Sequence, residues 1–196
     1  MHAKMLQVQN VRKPEISENI AIDAEAMGFK MSCDLETASL LRTLAGSCKN
    51  GMLLELGTGA GISTSWILDG MDRESSLLTV ELDETIQNIA KKHLSFDNRV
   101  QFYNMDGEEF IKQIANQKFD FIFADTWPGK FYVLDEALVL LKPGGLYIID
   151  DLLPIPSWPD EHATKVEELI GYLDSREDLI ITKLNWSTGL IIATKK

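Results

Sequence analysis

The sequence predicts one α/β domain built on a doubly wound, mostly parallel β-sheet. Short apolar runs alternate along the chain with segments of helical periodicity, and no repeat or linker interrupts them. The runs are nearly continuous in hydrophobic residues, which is typical of strands that helices cover on both faces. A glycine-rich turn directly after the first run is the third observation. With 196 residues, the chain is long enough for one hydrophobic core.

The strands are predicted from the apolar runs and from the turn signals that bound them. Near the end of the chain, Leu179–Leu184 and Leu190–Thr194 are joined by a short polar segment that ends in Gly189. This pattern predicts a closing hairpin and a mixed sheet at that edge. The earlier predicted strands are Met52–Leu56, Leu77–Leu82, Val100–Met105, Phe119–Asp125 and Leu146–Asp150.

Helix boundaries are predicted from capping residues and apolar stripes. Asp83 follows the second strand and has a side chain that can cap the next helix. Before the fifth strand, Leu134, Leu138 and Leu141 form an apolar stripe. The segment Pro143–Gly145 is predicted to end that helix, because proline and glycine are typical helix stops.

The chain is predicted to divide into a cap and a core within a single domain, residues 1–196. Residues 1–45 look helical, notably Asp34–Leu44, and are expected to pack over the ligand-binding edge. Residues 46–196 are expected to form the Rossmann-like core. A late helix is predicted over Glu161–Leu173.

The charge of the chain favours a small-molecule substrate. Acidic residues number 30 and basic residues 19, so the formal net charge is −11. Such a field repels nucleic acid and anionic membranes unless a local basic patch overrides it. His2, Lys4, Arg12 and Lys13 make only a weak candidate patch.

The expected location is the cytoplasm. No apolar run approaches the roughly 20 residues that span a bilayer, and the first ten residues lack the apolar region of a signal peptide. Cys33 and Cys48 lack the spacing of a disulfide framework or a metal site. Both are predicted to be free thiols in a reducing compartment.

The most informative motif is a turn with three alternating glycines, Gly57, Gly59 and Gly61, between the first strand and the next helix. Glycine permits a sharp turn and a closer approach of the ligand than any side chain would allow. The helix start adds unpaired N–H groups that favour an anionic group. The dinucleotide fingerprint G-x-G-x-x-G is not met, because Ile62 occupies its last position.

An acidic residue ends the next strand. Glu81 can accept hydrogen bonds from both ribose hydroxyls of a nucleoside that lies over the glycine turn. The alternative is a solvated strand end, and for Asp83 the helix cap is the preferred interpretation. Glu81, one βα unit after the glycine turn, is therefore the predicted ribose ligand.

The stretch Glu55–Gly61 resembles motif I of the class I S-adenosylmethionine-dependent methyltransferases, and Glu81 matches their ribose-binding acid. The likeness runs from about Met31 to Lys196 and is closest to the catechol and caffeoyl-CoA O-methyltransferase group. It implies a seven-stranded sheet with an antiparallel last strand. It also implies cofactor contacts from Met31, Cys33, Glu55, Gly57, Thr58, Gly59, Gly61, Ser63, Glu81, Leu82, Met105, Asp106, Gly107, Asp125 and Trp127.

The resemblance assigns roles to several of these residues. Glu55 lies near the methionine amino group, and Ser63 holds the methionine carboxylate. The segment Met31–Cys33 closes over the methionine moiety, while Met105–Gly107 forms the adenine-binding turn. Trp127 packs against the adenine face. For Asp106 and Trp127, a turn-forming residue and a buried structural tryptophan are the respective alternatives.

Three carboxylates are predicted to meet at the carboxyl edge of the sheet: Asp125 after the fourth strand, and Asp150 and Asp151 after the fifth. Clustered carboxylates repel one another unless a cation or hydrogen-bond donors compensate. Mg²⁺ or a similar divalent cation takes such oxygen ligands. The metal-dependent O-methyltransferases carry Asp at the first two positions and Asn at the third. A metal site and a hydrogen-bonded acidic cluster both stay open.

A second departure from the family pattern concerns the catalytic lysine. The metal-dependent enzymes carry Lys three residues after the first Asp, where this chain has Pro128. Lys130 is the replacement candidate, and Asp125 and Lys130 are the predicted catalytic residues. Trp158 lies on a loop suited to a substrate wall, with surface packing as the alternative. His93 and His162 are predicted on helix surfaces without a catalytic role.

The predicted function is therefore methyl transfer from S-adenosylmethionine to a hydroxyl of a small molecule. Three alternatives remain: a nicotinamide-dependent oxidoreductase, a tRNA-modifying methyltransferase of the same group, and a non-enzymatic module that keeps the cofactor pocket. The apolar N-terminal segment and the final hairpin are candidate surfaces for a homodimer.

Overall fold

The computed structural model describes residues 11–155 and 158–196. Residues 1–10 of the predicted cap, with His2 and Lys4, and Pro156 and Ser157 lie outside the described residues. The elements are α1 (Glu15–Ala26), α2 (Leu35–Ser47), β1 (Met52–Leu56), α3 (Ile62–Gly70), β2 (Ser76–Glu81), α4 (Glu84–Leu94), β3 (Val100–Asn104), α5 (Gly107–Gln113), β4 (Phe119–Ala124), α6 (Leu134–Leu140), β5 (Leu141–Ile149), α7 (Glu161–Asp174), β6 (Leu179–Leu184) and β7 (Leu190–Lys195).

The strands form one seven-stranded sheet in the order β3-β2-β1-β4-β5-β7-β6. The neighbours from β3 to β5 pair in parallel, whereas β7 is antiparallel to both β5 and β6. The predicted fold class and the predicted closing hairpin are therefore confirmed. The order reverses between β1 and β4, and ligands of open α/β sheets bind in the crevice outside the strand ends at such a point.

Helices cover both faces of the sheet and enclose one apolar cluster on each. The cluster on one face includes Leu54, Phe110 and Leu138. The other joins the N-terminal helices, through Ile20 and Leu41, to the opposite face of the sheet. Strands covered in this way need apolar residues at every position, which is why the pattern of short continuous runs predicts them.

The prediction for the end of α6 was wrong. The helix ends at Leu140, and Leu141 already begins β5, where it pairs with Phe119 of β4. The register then shifts, so that Leu146 opposes Phe121 and the intervening residues bulge out of the ladder. Pro143 is exposed in this bulge. Proline fits there because its missing N–H removes no ladder hydrogen bond.

The predicted cap of α4 is confirmed. The Oδ1 atom of Asp83 accepts hydrogen bonds from the backbone N–H groups of Thr85, at 2.8 Å, and Ile86, at 3.3 Å. Among the described residues, none of the helices has the length and apolarity that crossing a membrane requires.

Candidate functional site

The glycine turn after β1 is held in shape by the neighbouring strand. The N–H groups of Gly57 and Thr58 both donate to the carbonyl oxygen of Val80, at 3.0 Å. Gly61, the N-cap residue directly before α3, has a φ of 99°, and a Cβ there would lie 2.6 Å from Ala90 Cβ of α4. Only glycine fits this position, because other residues avoid such backbone angles and the packed helix leaves no room.

Glu81 closes the turn from the side of β2. Its Oε2 accepts from the N–H of Gly59 at 2.9 Å, and its Oε1 accepts from Leu82 N–H at 2.9 Å and Asp83 N–H at 3.1 Å. These three backbone donors fix the carboxylate beside the glycine turn, and no residue of the described ranges pairs with it as a cation. This is the position predicted for the ribose ligand.

Glu55 lies beneath the turn and is fully buried. Its carboxylate accepts hydrogen bonds from the hydroxyls of Ser63, Thr64 and Thr79, each at 2.6 Å. Burial raises the pKa of Glu55 to about 7, although the three donors act in the opposite direction. The predicted contacts of Glu55 and Ser63 with methionine stay predictions, since both groups bind each other here.

The network under the turn continues to Thr58. Its hydroxyl lies 2.7 Å from that of Thr79, and Gln87 Nε2 donates to Thr58 at 3.3 Å and to the carbonyl oxygen of Tyr103 at 2.8 Å. Thr58 therefore supports the turn from below. A buried glutamine on α4 is a residue that the sequence analysis missed, since nothing local distinguishes it from a surface glutamine.

A cavity of about 200 Å³ opens between the glycine turn and the ends of β2, β3 and β4. Seven predicted cofactor residues line it: Gly57, Glu81, Leu82, Met105, Asp106, Gly107 and Trp127. Asp106 also caps α5, because its Oδ1 accepts from Glu108 N–H at 2.8 Å. The turn-forming role of Asp106 is thus real, and it leaves the second carboxylate oxygen available to a ligand.

Pro128 and Tyr132 also line this cavity, and the sequence analysis did not place them there. A Cβ on Gly107 would lie 3.0 Å from Pro128 Cβ, so the proline packs directly on the Met105–Gly107 turn, for which adenine binding is predicted. Position 128 therefore faces the cavity and not the acidic rim, the cluster formed by Asp125, Asp150 and Asp151. A side chain that reaches the rim must come from elsewhere in the loop.

Lys130 is that side chain. The loop turns tightly, with Lys130 N–H and Phe131 N–H both donating to the carbonyl oxygen of Trp127, at 3.0 and 2.8 Å. Lys130 is 2% exposed, and its Nζ donates to the backbone oxygen of Asp150 at 3.1 Å. The rings of Phe131 and Trp158 lie 5.3 and 5.7 Å from Nζ.

The three rim carboxylates come together as predicted. Asp125, Asp150 and Asp151 each offer an oxygen within 4.8 Å of the others. Asp151 adopts a φ of 62°, a left-handed conformation that Asp and Asn tolerate better than most residues. This backbone angle turns its side chain towards the other two acids, and Asn, the residue usual in the family, would fit it equally well.

The electrostatics of the rim call for a compensating positive charge. Burial and the neighbouring carboxylates raise the pKa of Asp125 well above its ordinary value, against the effect of Lys130. The same causes raise the pKa of Asp150 to about 6. Asp125 and Asp150 are therefore costly to ionise in this cluster, and a cation among the three carboxylates would offset that cost.

The prediction for His162 was wrong. The side chain is 1% exposed and packs between Trp158, at 3.8 Å between ring centroids, and Phe131, at 5.3 Å. Burial and Lys130 lower the pKa of His162, so it is neutral at physiological pH. His93 is half-buried on α4 and its Nε2 lies 2.6 Å from Asp23 of α1. The burial of His162 and the contact of His93 with Asp23 both result from tertiary packing, which helix periodicity does not reveal.

The segment before α2 lies over the other side of the glycine turn. A Cβ on Gly59 would lie 3.4 Å from the Phe29 ring, so Phe29 is a further residue that the sequence analysis missed. Cys33 and Cys48 are free thiols, as predicted. Burial and then the nearby rim acids raise the pKa of Cys33, which keeps it protonated. Met31 is 79% exposed, and its predicted cofactor contact stays a prediction.

Trp127 lies beside the cavity and packs edge-on against Phe131, with 5.6 Å between ring centroids. Lys165 of α7 places its Nζ 5.4 Å from the same ring. One face of the indole is thus supported by the protein. The adenine contact and the structural role predicted as alternatives for Trp127 are compatible in this arrangement.

Comparisons with known proteins identify the family and the fold of the chain. An inferred O-methyltransferase of Mycolicibacterium vanbaalenii is 30% identical over 116 residues, which cover 57% of this chain and 51% of the relative. The matched part is thus about half the length of that relative. An inferred caffeoyl-CoA O-methyltransferase of Staphylococcus aureus has a TM-score of 0.78, 25% identity and coverage of 99% of this chain and 97% of its own.

A second solved structure shares the fold. The O-methyltransferase of Bacillus cereus, in complex with S-adenosylhomocysteine, has a TM-score of 0.84 and 22% identity, and the match covers 95% of this chain and 93% of that one. The sequence also matches a family described as a methyltransferase domain over residues 54–152, which run from β1 through the acidic rim. The chain belongs to this methyltransferase-domain family, and the resemblance read from its motifs is confirmed.

Proposed function

We propose that the protein is an S-adenosylmethionine-dependent methyltransferase that methylates a hydroxyl oxygen of a small molecule. The observation that carries the proposal is the cavity between the glycine turn and the adenine-binding turn, with Glu81 at its side and the acidic rim beside it. Family membership and the names of the relatives support the reaction class, and they set aside the nicotinamide-dependent oxidoreductase.

In this proposal, different side chains around the cavity bind the ribose and the adenine of the cofactor. Glu81 accepts hydrogen bonds from the ribose hydroxyls and exchanges its bond from Gly59 N–H for them. Met105 and Trp127 contact the faces of the adenine, and the free oxygen of Asp106 accepts from the exocyclic amine. The open backbone at Gly57 and Gly59 allows the ligand to approach closely.

Glu55 serves the methionine end from beneath the turn. A ligand ammonium group near Glu55 would favour the ionised carboxylate and offset the burial that raises its pKa. The hydroxyls of Ser63 and Thr64 fix the carboxylate from the α3 side. These two hydrogen bonds fix the position of the carboxyl group before the ligand binds.

The rim residues fit a divalent cation. Asp125, Asp150 and Asp151 supply hard oxygen donors within 4.8 Å of one another. The pKa values of Asp125 and Asp150 are raised by burial first and then by the neighbouring carboxylates. We assign these three residues as the cation ligands. A bound divalent cation would lower the pKa of an acceptor hydroxyl and so favour its ionised form near neutral pH.

The reaction then depends on position and charge. Bound S-adenosylmethionine would supply the methyl group. The ionised acceptor oxygen, whose proton would pass to solvent, would take the methyl in line from about 3 Å as the methyl–sulfur bond breaks and S-adenosylhomocysteine leaves. Lys130 holds a positive charge at the rim, where it stabilises negative charge on the acceptor oxygen. Trp158, Phe131 and His162 exclude water from this side of the rim.

Calorimetric titration with S-adenosylhomocysteine tests the proposal, with and without Mg²⁺ and with a chelator. We expect stoichiometric binding of S-adenosylhomocysteine and no heat from NAD. A panel of hydroxylated small molecules then identifies the acceptor. An absence of S-adenosylhomocysteine binding would refute the function, whereas binding without turnover would favour the non-enzymatic module.

Glu81→Ala is expected to weaken S-adenosylhomocysteine binding by more than about 1 kcal/mol, from lost charged hydrogen bonds to the ribose. Calorimetry measures the change. Glu84→Ala, which removes a nearby exposed acid on α4, is the matched control and should bind as the wild type does. Equal affinities of Glu81→Ala and wild type would remove Glu81 from the site.

Lys130→Met is expected to lower kcat at least about tenfold, because the rim loses the positive charge that stabilises the ionised acceptor. The affinity for S-adenosylhomocysteine should stay unchanged, since Lys130 does not line the nucleoside cavity. Lys183→Met on the exposed β6 edge is the control. An unchanged kcat in Lys130→Met would show that Lys130 is structural only.

A further inference from the structure

The hairpin loop, Asn185–Gly189, crosses the acidic rim and contacts one of its carboxylates. The hydroxyl of Thr188 donates a hydrogen bond to Asp150 Oδ1. The backbone N–H of Asp151 donates to the same oxygen at 2.7 Å. Oδ1 therefore has two donors, whereas no donor from the described part of the chain reaches Oδ2. The second oxygen is the one left for a cation.

Backbone contacts hold Thr188 against the end of β5. The N–H of Leu153 donates to the carbonyl oxygen of Thr188 at 2.7 Å. The N–H of Leu152 donates to the carbonyl oxygen of Gly189 at 3.1 Å. Gly189 has a φ of 85°, and a Cβ there would lie 2.6 Å from Leu153 Cγ. The loop thus approaches the segment after Asp151 more closely than any side chain at position 189 would allow.

The other side of the loop is tied to the start of α2. Ser187 Oγ donates to Asp34 Oδ2 at 3.3 Å, and Thr37 Oγ1 donates to Ser187 Oγ at 3.1 Å. Ser187 itself has a φ of 56°. Thr188 is consequently fixed from both sides and its hydroxyl points at Asp150 before any ligand binds.

We propose that Thr188 is a positioning residue for the cation site at the rim. Its hydroxyl, together with Asp151 N–H, holds Oδ1 of Asp150 and so fixes the rotation of the carboxylate, which leaves Oδ2 as the oxygen that binds the cation. This inference rests on the proposed cation site. It concerns a residue of the last hairpin, about 40 residues further along the chain than the carboxylate it orients. Groups that orient metal ligands in this way contribute substantially to metal affinity.

The test is the affinity of the full chain for Mn²⁺, measured from the electron paramagnetic resonance signal of the free ion. Thr188→Val keeps the shape of the side chain and removes the hydroxyl, and we expect Mn²⁺ to bind about tenfold more weakly or worse. Thr188→Ser restores the hydroxyl and should recover the wild-type affinity to within about threefold. Thr182→Val, at an exposed position of β6, is the matched control and should not change the affinity.

The outcomes separate this inference from the function on which it rests. If Thr188→Val binds Mn²⁺ as tightly as wild type while Asp150→Asn does not bind it, the cation site stands and the role of Thr188 is overturned. If wild type itself binds no Mn²⁺, the cation site and the role of Thr188 both fall. Loss of affinity in both Thr188→Val and Thr188→Ser would assign the effect to loop packing and would also overturn the proposal.

Discussion

Gly61→Ala is expected to lower the free energy of unfolding by about 3 kcal/mol or more and to abolish S-adenosylhomocysteine binding. A left-handed conformation costs a residue with a Cβ about 1–2 kcal/mol, and overpacking against another helix costs about 1–3 kcal/mol. Both apply here, because φ is 99° and the new Cβ would lie 2.6 Å from Ala90 Cβ and 3.0 Å from Ala90 Cα. Relief requires α3 to move away from α4, which opens the glycine turn.

Urea denaturation and calorimetry measure the two effects of Gly61→Ala. Gly171→Ala is the control, because position 171 lies within α7 and a Cβ there meets nothing within 4 Å. That variant should become more stable by about 0.5–1 kcal/mol, since alanine is the better helix former. A Gly61→Ala protein with wild-type stability and binding would contradict the assignment of this glycine.

Glu55→Gln is expected to remove a large part of the pH dependence of stability. The pKa of Glu55 is raised from 4.5 to about 7 in the folded chain, so the folded state holds a proton that the unfolded state has released. The associated stability is fully present below about pH 4.5 and is lost as the pH rises to about 7. The shift corresponds to about 3 kcal/mol in the ligand-free protein.

The measurement is the difference in unfolding free energy between Glu55→Gln and wild type from pH 4.5 to 8. This difference should rise by about 3 kcal/mol in favour of the variant, on top of a constant offset from the altered hydroxyl network. Glu84→Gln, an exposed position, should show no such trend. Taking the difference cancels the contribution of Asp150, whose raised pKa acts in the same direction. A constant difference across the range would mean that Glu55 has an ordinary pKa.

The acidic rim shows what the spacing of motifs in the sequence can predict and what it cannot. Asp125, Asp150 and Asp151 each follow a strand of a parallel sheet, and parallel strands share one carboxyl edge, so their convergence follows from sequence and topology. Thr188 could not be found in this way. It reaches Asp150 only because the last hairpin is antiparallel and folds back across the strand ends.

Lys130 and Pro128 give a second contrast. Counting residues after Asp125 placed Pro128 where the metal-dependent enzymes carry their catalytic lysine. In the structure, Pro128 faces the cavity beside the glycine turn, and Lys130 faces the acidic rim. The difference arises from the tight turn at Trp127. Such turns are set by local hydrogen bonds and packing, which a comparison of spacings does not contain.

By itself, the sequence determined the fold class, the glycine turn, the acid that lies beside this turn and the meeting of three carboxylates. Each of these follows from local rules, namely burial on both faces of a strand, the conformational freedom of glycine and the shared edge of parallel strands. Only the tertiary structure decided that Lys130 and His162 are buried, that Phe29 lies against the glycine turn and Tyr132 lines the neighbouring cavity, and that Thr188 donates a hydrogen bond to Asp150. The physical reason is that these contacts join side chains that are distant in the chain, and packing between layers sets their distances with no trace in local periodicity.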